Sequence, residues 1–216
     1  PVCPAPLTLS VGCRCMWSWW RKREGRWLTA WCGMRMEPSG TSHSLSLWER
    51  ARVRVLGLLI LAVGNPSRGD DALGPLFLER LAALREQRGG WDDVELLADF
   101  QLQIEHAVDL ENRTLALFVD ASVSCPPPFH FIRMQPARDT SYTSHALSPA
   151  AVLYVYQQIN HAPPPPAFQL AIRGERFELG EPLSTVAEVN LAAALEFTDW
   201  LLARRDVAAW ERWTFA

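Results

Sequence analysis

Two adjacent aspartates end a glycine turn in this chain, at the place where a phosphate-binding loop would carry a lysine. The segment GNPSRGDDALGP starts at Gly64 and contains Asp70 and Asp71. A nucleotide P-loop reads G-x-x-x-x-G-K-[ST], with the lysine on the phosphates. Because two carboxylates repel phosphate, we expect no nucleotide here. We interpret Asp70 as an acidic residue at the start of a helix, which the helix dipole favours, and Asp71 as a functional candidate.

Two more candidates come from other parts of the chain. Asp120 ends the apolar segment TLALFVD, and His145 comes shortly before Ser148, where a cap residue followed by proline indicates a helix start. Each has an ordinary alternative, a turn cap for Asp120 and a loop histidine for His145. If one sheet edge gathers them, then Asp71, Asp120 and His145 supply two carboxylates and an imidazole. That set suits a divalent transition metal.

Five apolar segments are predicted to form the strands that position these residues. They alternate with helical patterns, and several are apolar on both faces, as strands covered by helices on both sides are. The predicted strands are Val53–Val63, Val94–Ala98, Thr114–Asp120, Phe129–Met134 and Phe168–Ile172. The pattern predicts an α/β fold of three layers, αβα, around a doubly wound, mostly parallel five-stranded sheet. Ligands of such folds bind beyond the carboxyl ends of the strands, where Asp71 and Asp120 are expected.

Composition narrows the class of protein and its partners. The 216 residues, 49% apolar and 21% charged, suit one globular α/β domain. A net charge of −3 gives no general attraction to nucleic acid, and no apolar run approaches the ~20 residues of a membrane helix. We therefore expect neither nucleic acid nor membrane as a partner. Cys125 is the one cysteine after residue 52, which indicates a reducing compartment, the cytoplasm. It precedes three prolines and is interpreted as structural.

The pattern divides the chain into three parts. Residues 1–52 show neither helix nor strand periodicity, and we predict a disordered arm or translated upstream sequence that is not native to the protein. A small cysteine-rich metal or disulfide module is the alternative, but its four cysteines lack paired C-x-x-C spacing. Residues 53–204 are predicted to be the α/β domain, and residues 205–216 a C-terminal tail.

Three blocks of this domain resemble the signature blocks of the hydrogenase maturation endopeptidases. They are LAVGNPSRGDDALGP, LFVDAS and SHALSPAAVL, in the family's order and separation, and the resemblance covers about Val53 to Ala203. Two further blocks, DFQLQIEHAVDL and AIRGERFELGEPLS, look most like the subgroup that serves NAD-reducing, bidirectional nickel–iron hydrogenases.

The resemblance implies an activity, a partner and a set of site residues. Such enzymes remove a short C-terminal extension from the hydrogenase large-subunit precursor after nickel is inserted. The metal-contacting positions of the family fall on Asp71, Asp120 and His145, with both aspartates as the catalytic residues of an aspartyl-type peptidase. The nickel is expected to come with the substrate rather than to be resident.

Two positions depart from the family pattern. Many members have glutamate where this chain has Asp71, so the carboxylate is one methylene shorter. Many also carry a D-x-G-T-x-G loop, where this chain reads DFQLQ, and we expect Gln101 and Gln103 of that segment to bind the substrate. Two alternatives remain open at this point: a hydrolase with resident zinc on the same three residues, and a non-catalytic flavodoxin-like binding module.

Overall fold

The computed structural model describes residues 56–138 and 147–214, and the five strands lie in these ranges. Their bounds are β1 Leu56–Val63, β2 Val94–Asp99, β3 Arg113–Ser122, β4 Phe129–Met134 and β5 Ala167–Arg173. They form one sheet in the order β2-β1-β3-β5-β4. Only β4 is antiparallel to its neighbour. The structure therefore confirms the predicted doubly wound, mostly parallel sheet.

Helices cover both faces of the sheet, which explains why the central strands are apolar throughout. Their bounds are α1 Leu73–Arg88, α2 His106–Asp109, α3 Pro149–Asn160, α4 Thr185–Leu202 and α5 Val207–Glu211. Side chains of α1, α4 and α5 pack with Leu58 and Ile60 in one core. Side chains of α2 and α3 pack with Leu59 and Leu61 in a second core on the opposite face. The fold has the three predicted layers.

Helix α5 lies in the segment to which the sequence pattern assigned no element. Its Trp210 is fully buried, and its ring packs edge-on against Phe131 and Phe168. The indole N–H donates to the carbonyls of Leu201 and Arg204 at 3.1 and 3.0 Å. Because the buried indole donor has partners, the large ring adds to the first core without an unsatisfied polar atom.

The order of the strands defines where the sheet's carboxyl edge opens. From β1 the chain crosses to β2 on one side, and then returns to β3 on the other side of β1. The segment that follows β1 and the segment that follows β3 therefore run toward opposite sides of the sheet. Open α/β sheets form a ligand crevice at such a switch point, between the ends of the two strands. None of the helices that the structure describes is both long and apolar enough to span a membrane.

Candidate active site

A sharp turn after β1 carries the two adjacent aspartates. Gly64 has φ +148°, and a Cβ there would lie 2.1 Å from the carbonyl oxygen of Asp71. Only glycine allows this close return of the chain. Residues Gly69–Ala72 then form a single 3₁₀ turn that runs directly into α1. Consecutive residues of so tight a turn point in different directions, and the two carboxylates have different surroundings.

The Asp70 carboxylate is fully buried and accepts four hydrogen bonds. Its Oδ2 accepts from the backbone N–H of Glu175 at 2.7 Å, from that of Arg176 at 3.0 Å and from Ser184 Oγ at 2.8 Å. Its Oδ1 accepts from the Ser184 N–H at 2.7 Å. Burial by itself raises the pKa of Asp70, but these four donors outweigh it and the pKa is lowered. Asp70 is therefore ionised at neutral pH.

Asp70 thus joins the acid turn to the segment 174–184, which lies more than a hundred residues further along the chain. A Cβ on Gly174 would lie 2.8 Å from the Asp70 Cβ, so the segment must begin with a glycine to approach this closely. Ser184 also caps α4 by accepting from the Ala187 N–H at 3.1 Å. The dipole interpretation of Asp70 was incomplete, because its partners are these donors rather than its own helix.

Asp71 points away from this buried network. Its side chain is 22% exposed, and Asp71 Oδ2 lies 3.8 Å from a terminal nitrogen of Arg68. Arg68 is itself held by a hydrogen bond from Nε to the Phe177 carbonyl at 3.2 Å. Asp71 lies on a turn that Asp70 anchors. Its carboxylate therefore lies at the crevice, beside the guanidinium of Arg68.

Asp120 lies near the end of β3, in the strand adjacent to β1. The register pairs Ala62 with Val119, so Asp120 is level with Val63, the last residue of β1. Burial raises the pKa of Asp120 to about 6. The backbone N–H of Ala121, which donates to Oδ1 at 2.7 Å, opposes this rise, and the negative charge of Asp71 adds to it. The structure therefore brings Asp71 and Asp120 close enough for their charges to repel.

The acid pair lies at the switch point between β1 and β3, where the fold predicts a ligand. Two carboxylates whose charges repel, one of them partly desolvated, favour a bound cation, which would remove the repulsion. The third predicted ligand, His145, lies outside the described residues. Within ranges 56–138 and 147–214, no three His, Cys, Asp or Glu side chains form a group that could hold a metal ion. Among the described residues the acid pair stands alone, so a metal site with Asp71 and Asp120 as ligands stays a prediction.

The loop after β2 contains the two predicted substrate-binding glutamines. Gln101 and Gln103 are both exposed, while Leu102 between them is buried. At the end of this loop, the side chain of His106 is buried with its Nε2 3.4 Å from Asp99 Oδ2. The sequence pattern did not identify His106 as a functional residue. The signal in the sequence was the segment DFQLQIEH, in which Asp99 and His106 flank a short loop and could pair across it.

Cys125 has the structural role that was predicted for it. It is buried, and its thiol donates to the carbonyl of Ala171 at 3.4 Å. Arg173 fixes the same loop by donating to the Cys125 carbonyl at 3.2 Å. A buried thiol whose partner is a carbonyl is consistent with a role in packing.

The fold is similar to that of solved hydrogenase maturation proteases. One similar solved structure is the [NiFe] hydrogenase maturation protease HycI from Thermococcus kodakarensis, with a TM-score of 0.54 and 22% identity over 69% of this chain and 94% of that chain. This match shows the fold. No protein-family model and no curated protein matches the sequence.

Two further structures are similar in both fold and sequence. One is the hydrogenase maturating endopeptidase HybD from E. coli, with 28% identity, a TM-score of 0.51 and coverage of 68% of this chain and 91% of that chain. The other is an endopeptidase from Escherichia coli, with 25% identity, a TM-score of 0.53 and coverage of 68% and 93%. These neighbours are peptidases, and the comparison places the chain with the peptidase hydrolases of this fold.

Proposed function

We propose that this chain is the endopeptidase that removes the C-terminal extension of a nickel–iron hydrogenase large-subunit precursor after nickel insertion. The observation that carries the proposal is the acid pair, Asp71 and Asp120, at the switch point of a fold shared with a hydrogenase maturating endopeptidase at 28% identity. Peptide hydrolysis requires a group that accepts a proton from water, and a carboxylate in a desolvated crevice is suited to that task.

In this proposal the nickel is part of the substrate. The thiolates of the precursor bring it, and Asp71, Asp120 and His145 complete its coordination, because nickel accepts mixed carboxylate and imidazole ligands. Only a loaded precursor then binds in register, so the metal reports that assembly is complete and fixes which peptide bond meets the acids. Repulsion between Asp71 and Asp120 supports this role, because a cation relieves it.

The chemical step is hydrolysis of one amide bond. The oxygen of water adds to the scissile carbonyl carbon, and the carbon–nitrogen bond breaks. The proton taken from water ends on the nitrogen of the released tail, and a carboxylate carries it. In the free protein burial raises the pKa of Asp120 to about 6, so Asp120 is ionised at neutral pH and can take up that proton.

The choice of partner follows from the two blocks that resemble the subgroup of NAD-reducing, bidirectional hydrogenases. One block, residues 171–184, supplies all four hydrogen bonds to Asp70. The other contains Gln101 and Gln103, which are exposed on the loop after β2. We therefore propose a precursor of this hydrogenase type as the substrate, with processing in the cytoplasm.

Mass spectrometry of the products tests the function directly. The purified protein is incubated with nickel-loaded and with nickel-free precursor, and the expected result is loss of the tail from the loaded precursor alone. Equal cleavage of both precursors contradicts nickel recognition. The absence of any cleavage contradicts the peptidase and favours a non-catalytic binding module.

Two further measurements separate the remaining alternatives. Stoichiometric zinc in the purified protein before any precursor is added would favour a hydrolase with a resident metal. In the same cleavage assay Asp71→Ala is expected to abolish processing, while Asp92→Asn, a change at an exposed aspartate, leaves it intact. Full activity of Asp71→Ala would remove Asp71 from the site.

A further inference from the structure

The loop between β2 and α2, residues 100–105, is anchored by two buried side chains while its other residues face outward. Leu102 and His106 are each 5% exposed and anchor the loop on the protein side. Phe100, Gln101 and Gln103 are exposed on the other side. A surface loop with inward anchors at regular intervals keeps one conformation, so its outward side chains are displayed in a fixed arrangement.

Both ring nitrogens of His106 have partners, and these determine its tautomer. The backbone N–H of Gln103 donates to Nδ1 at 2.8 Å. Because an N–H only donates, Nδ1 must be the acceptor, and the proton of the neutral ring is on Nε2. That nitrogen lies 3.4 Å from Asp99 Oδ2. Asp99 therefore faces the protonated nitrogen and favours the tautomer that receives the Gln103 amide.

Asp99 also connects the loop to the rest of the crevice. Its Oδ1 accepts from the Phe100 N–H at 2.6 Å, and its carbonyl accepts from the N–H of Gly64 at 3.1 Å. The Leu102 carbonyl accepts from the Leu147 N–H at 3.2 Å, at the approach to α3. Asp99 is paired with Val63 in the sheet register, so it lies in the same row as Asp120. The loop is thus fixed relative to the acid pair.

We propose that Asp99 and His106 are positioning residues, which hold the Gln103 amide and keep loop 100–105 in the shape that meets the substrate. The proposal rests on the proposed function for the identity of that substrate, the precursor. Neither residue touches the reacting bond. Their contribution acts through Gln101 and Gln103, so losing it weakens precursor binding and leaves the chemical step unchanged.

The decisive variant is Asp99→Asn, which preserves size, removes the charge and replaces one acceptor oxygen with an NH₂ donor. If the asparagine amide turns toward His106, it donates to Nε2 and forces the ring proton onto Nδ1, against the Gln103 N–H. If it turns the other way, it faces the Phe100 N–H with a donor. Either orientation loses one contact. The ¹⁵N shifts of the His106 ring, measured by NMR in the free protein, report the tautomer.

The histidine itself is tested with two replacements of different reach. His106→Asn keeps an acceptor near the position of Nδ1, and His106→Gln places its amide near Nε2 instead. We expect Asn to retain much of the protection of the Gln103 amide from hydrogen exchange, and Gln to lose it. His161→Asn is the matched control, because His161 is exposed and its φ of 50° suits asparagine.

Two readouts keep this proposal separate from the proposed function. In the free protein, His106→Gln should increase exchange of the Gln103 amide about tenfold, the loss expected for one hydrogen bond, and Asp99→Asn should do the same for the Gln103 or the Phe100 amide, according to the contact that the asparagine loses. With loaded precursor, the same variants should raise KM about tenfold with kcat within twofold of the parent. Unchanged exchange and an unchanged tautomer overturn the positioning role. So does a kcat loss without a KM change.

If the wild-type protein cleaves no precursor, the proposed function fails, and the exchange and tautomer measurements still decide whether Asp99 and His106 hold the loop. If the loop is held but KM does not change in either variant, the loop does not meet the substrate and the positioning proposal is overturned alone. A variant that fails to fold is replaced by the other, because Asp99→Asn and His106→Gln alter different ends of the same contact.

Discussion

Asp70 and Asp120 lie at the same edge of the sheet, and burial has opposite outcomes for them. Asp70 accepts four hydrogen bonds and its pKa is lowered, whereas Asp120 accepts one from Ala121, has Asp71 as a like-charged neighbour, and its pKa is raised to about 6. For these two carboxylates the number of hydrogen-bond donors, rather than burial, decides whether the group supports the fold or is available for chemistry.

The two surroundings have different origins in the chain. Asp70 draws its donors from a long-range segment that folds over the acid turn, with the Ser184 cap of α4 among them. Asp120 is fixed by the strand on which it lies, and among the described residues only the adjacent N–H of Ala121 donates to its carboxylate. The protein itself supplies the donors that the Asp70 carboxylate needs. The Asp120 carboxylate can still accept a hydrogen bond or a cation from a ligand.

The largest expected effect is on cleavage by Asp120→Asn. The amide can still accept the Ala121 N–H but neither takes up a proton from water nor carries charge to a cation, so we expect a loss of about 10²–10⁴-fold in the cleavage rate. The measurement is precursor processing followed by mass spectrometry. Retention of a tenth or more of the parent rate would show that Asp120 is not part of the active site.

The next largest effect is on stability, by Asp70→Asn. Oδ2 accepts three hydrogen bonds, and an NH₂ group in its place would be a donor facing those three donors. We therefore expect a loss of about 3–5 kcal/mol in the free energy of unfolding, measured with urea. Because the pKa of Asp70 is lowered from 3.8, its contribution is present above pH 3.8 and is lost as the pH falls through the folded-state value. A loss under 1 kcal/mol would contradict the anchoring role.

Asp120→Asn should have the opposite effect on stability. The pKa of Asp120 rises from 3.8 to about 6 on folding, so the native state holds more protons than the unfolded state between these values. Stability from this group therefore falls as pH rises from about 4 through 6. Asp120→Asn does not titrate and therefore lacks this fall in stability. It should be more stable than the parent by about 1–3 kcal/mol at pH 7.5, with little difference at pH 4. Equal stability at both pH values would refute the raised pKa.

The smallest expected effect is the difference in stability between two serine-to-alanine variants, which separates the helix cap from the contact with Asp70. Ser184 and Ser148 both cap helices, by accepting from the Ala187 and Ala151 N–H groups, but only Ser184 also donates to Asp70. We expect Ser148→Ala to cost about 1 kcal/mol and Ser184→Ala about 2 kcal/mol in urea unfolding. Equal costs would mean that the serine hydroxyl adds nothing to the Asp70 network.

Strand positions were predictable because each strand is an apolar run whose neighbours in sequence already mark its ends. The parallel order of the sheet followed from the alternation of strands and helices. From these two features the carboxyl edge, and with it Asp71 and Asp120, could be placed without coordinates. His145 stays a prediction, since it lies outside the described residues, and so do the roles of Gln101 and Gln103.

The sheet, its layers and the edge at which the acids gather follow from periodicity and strand ends, which are local properties of the chain. The different roles of the neighbouring acids depend on tertiary contacts. Asp70 and Asp71 are adjacent and identical in type, but the donors that bury Asp70 come from residues 175–184. The pairing of His106 with Asp99 likewise depends on how the loop folds back. Hydrogen-bond partners depend on distances in space between segments that are far apart in the chain, and local sequence patterns do not predict those distances.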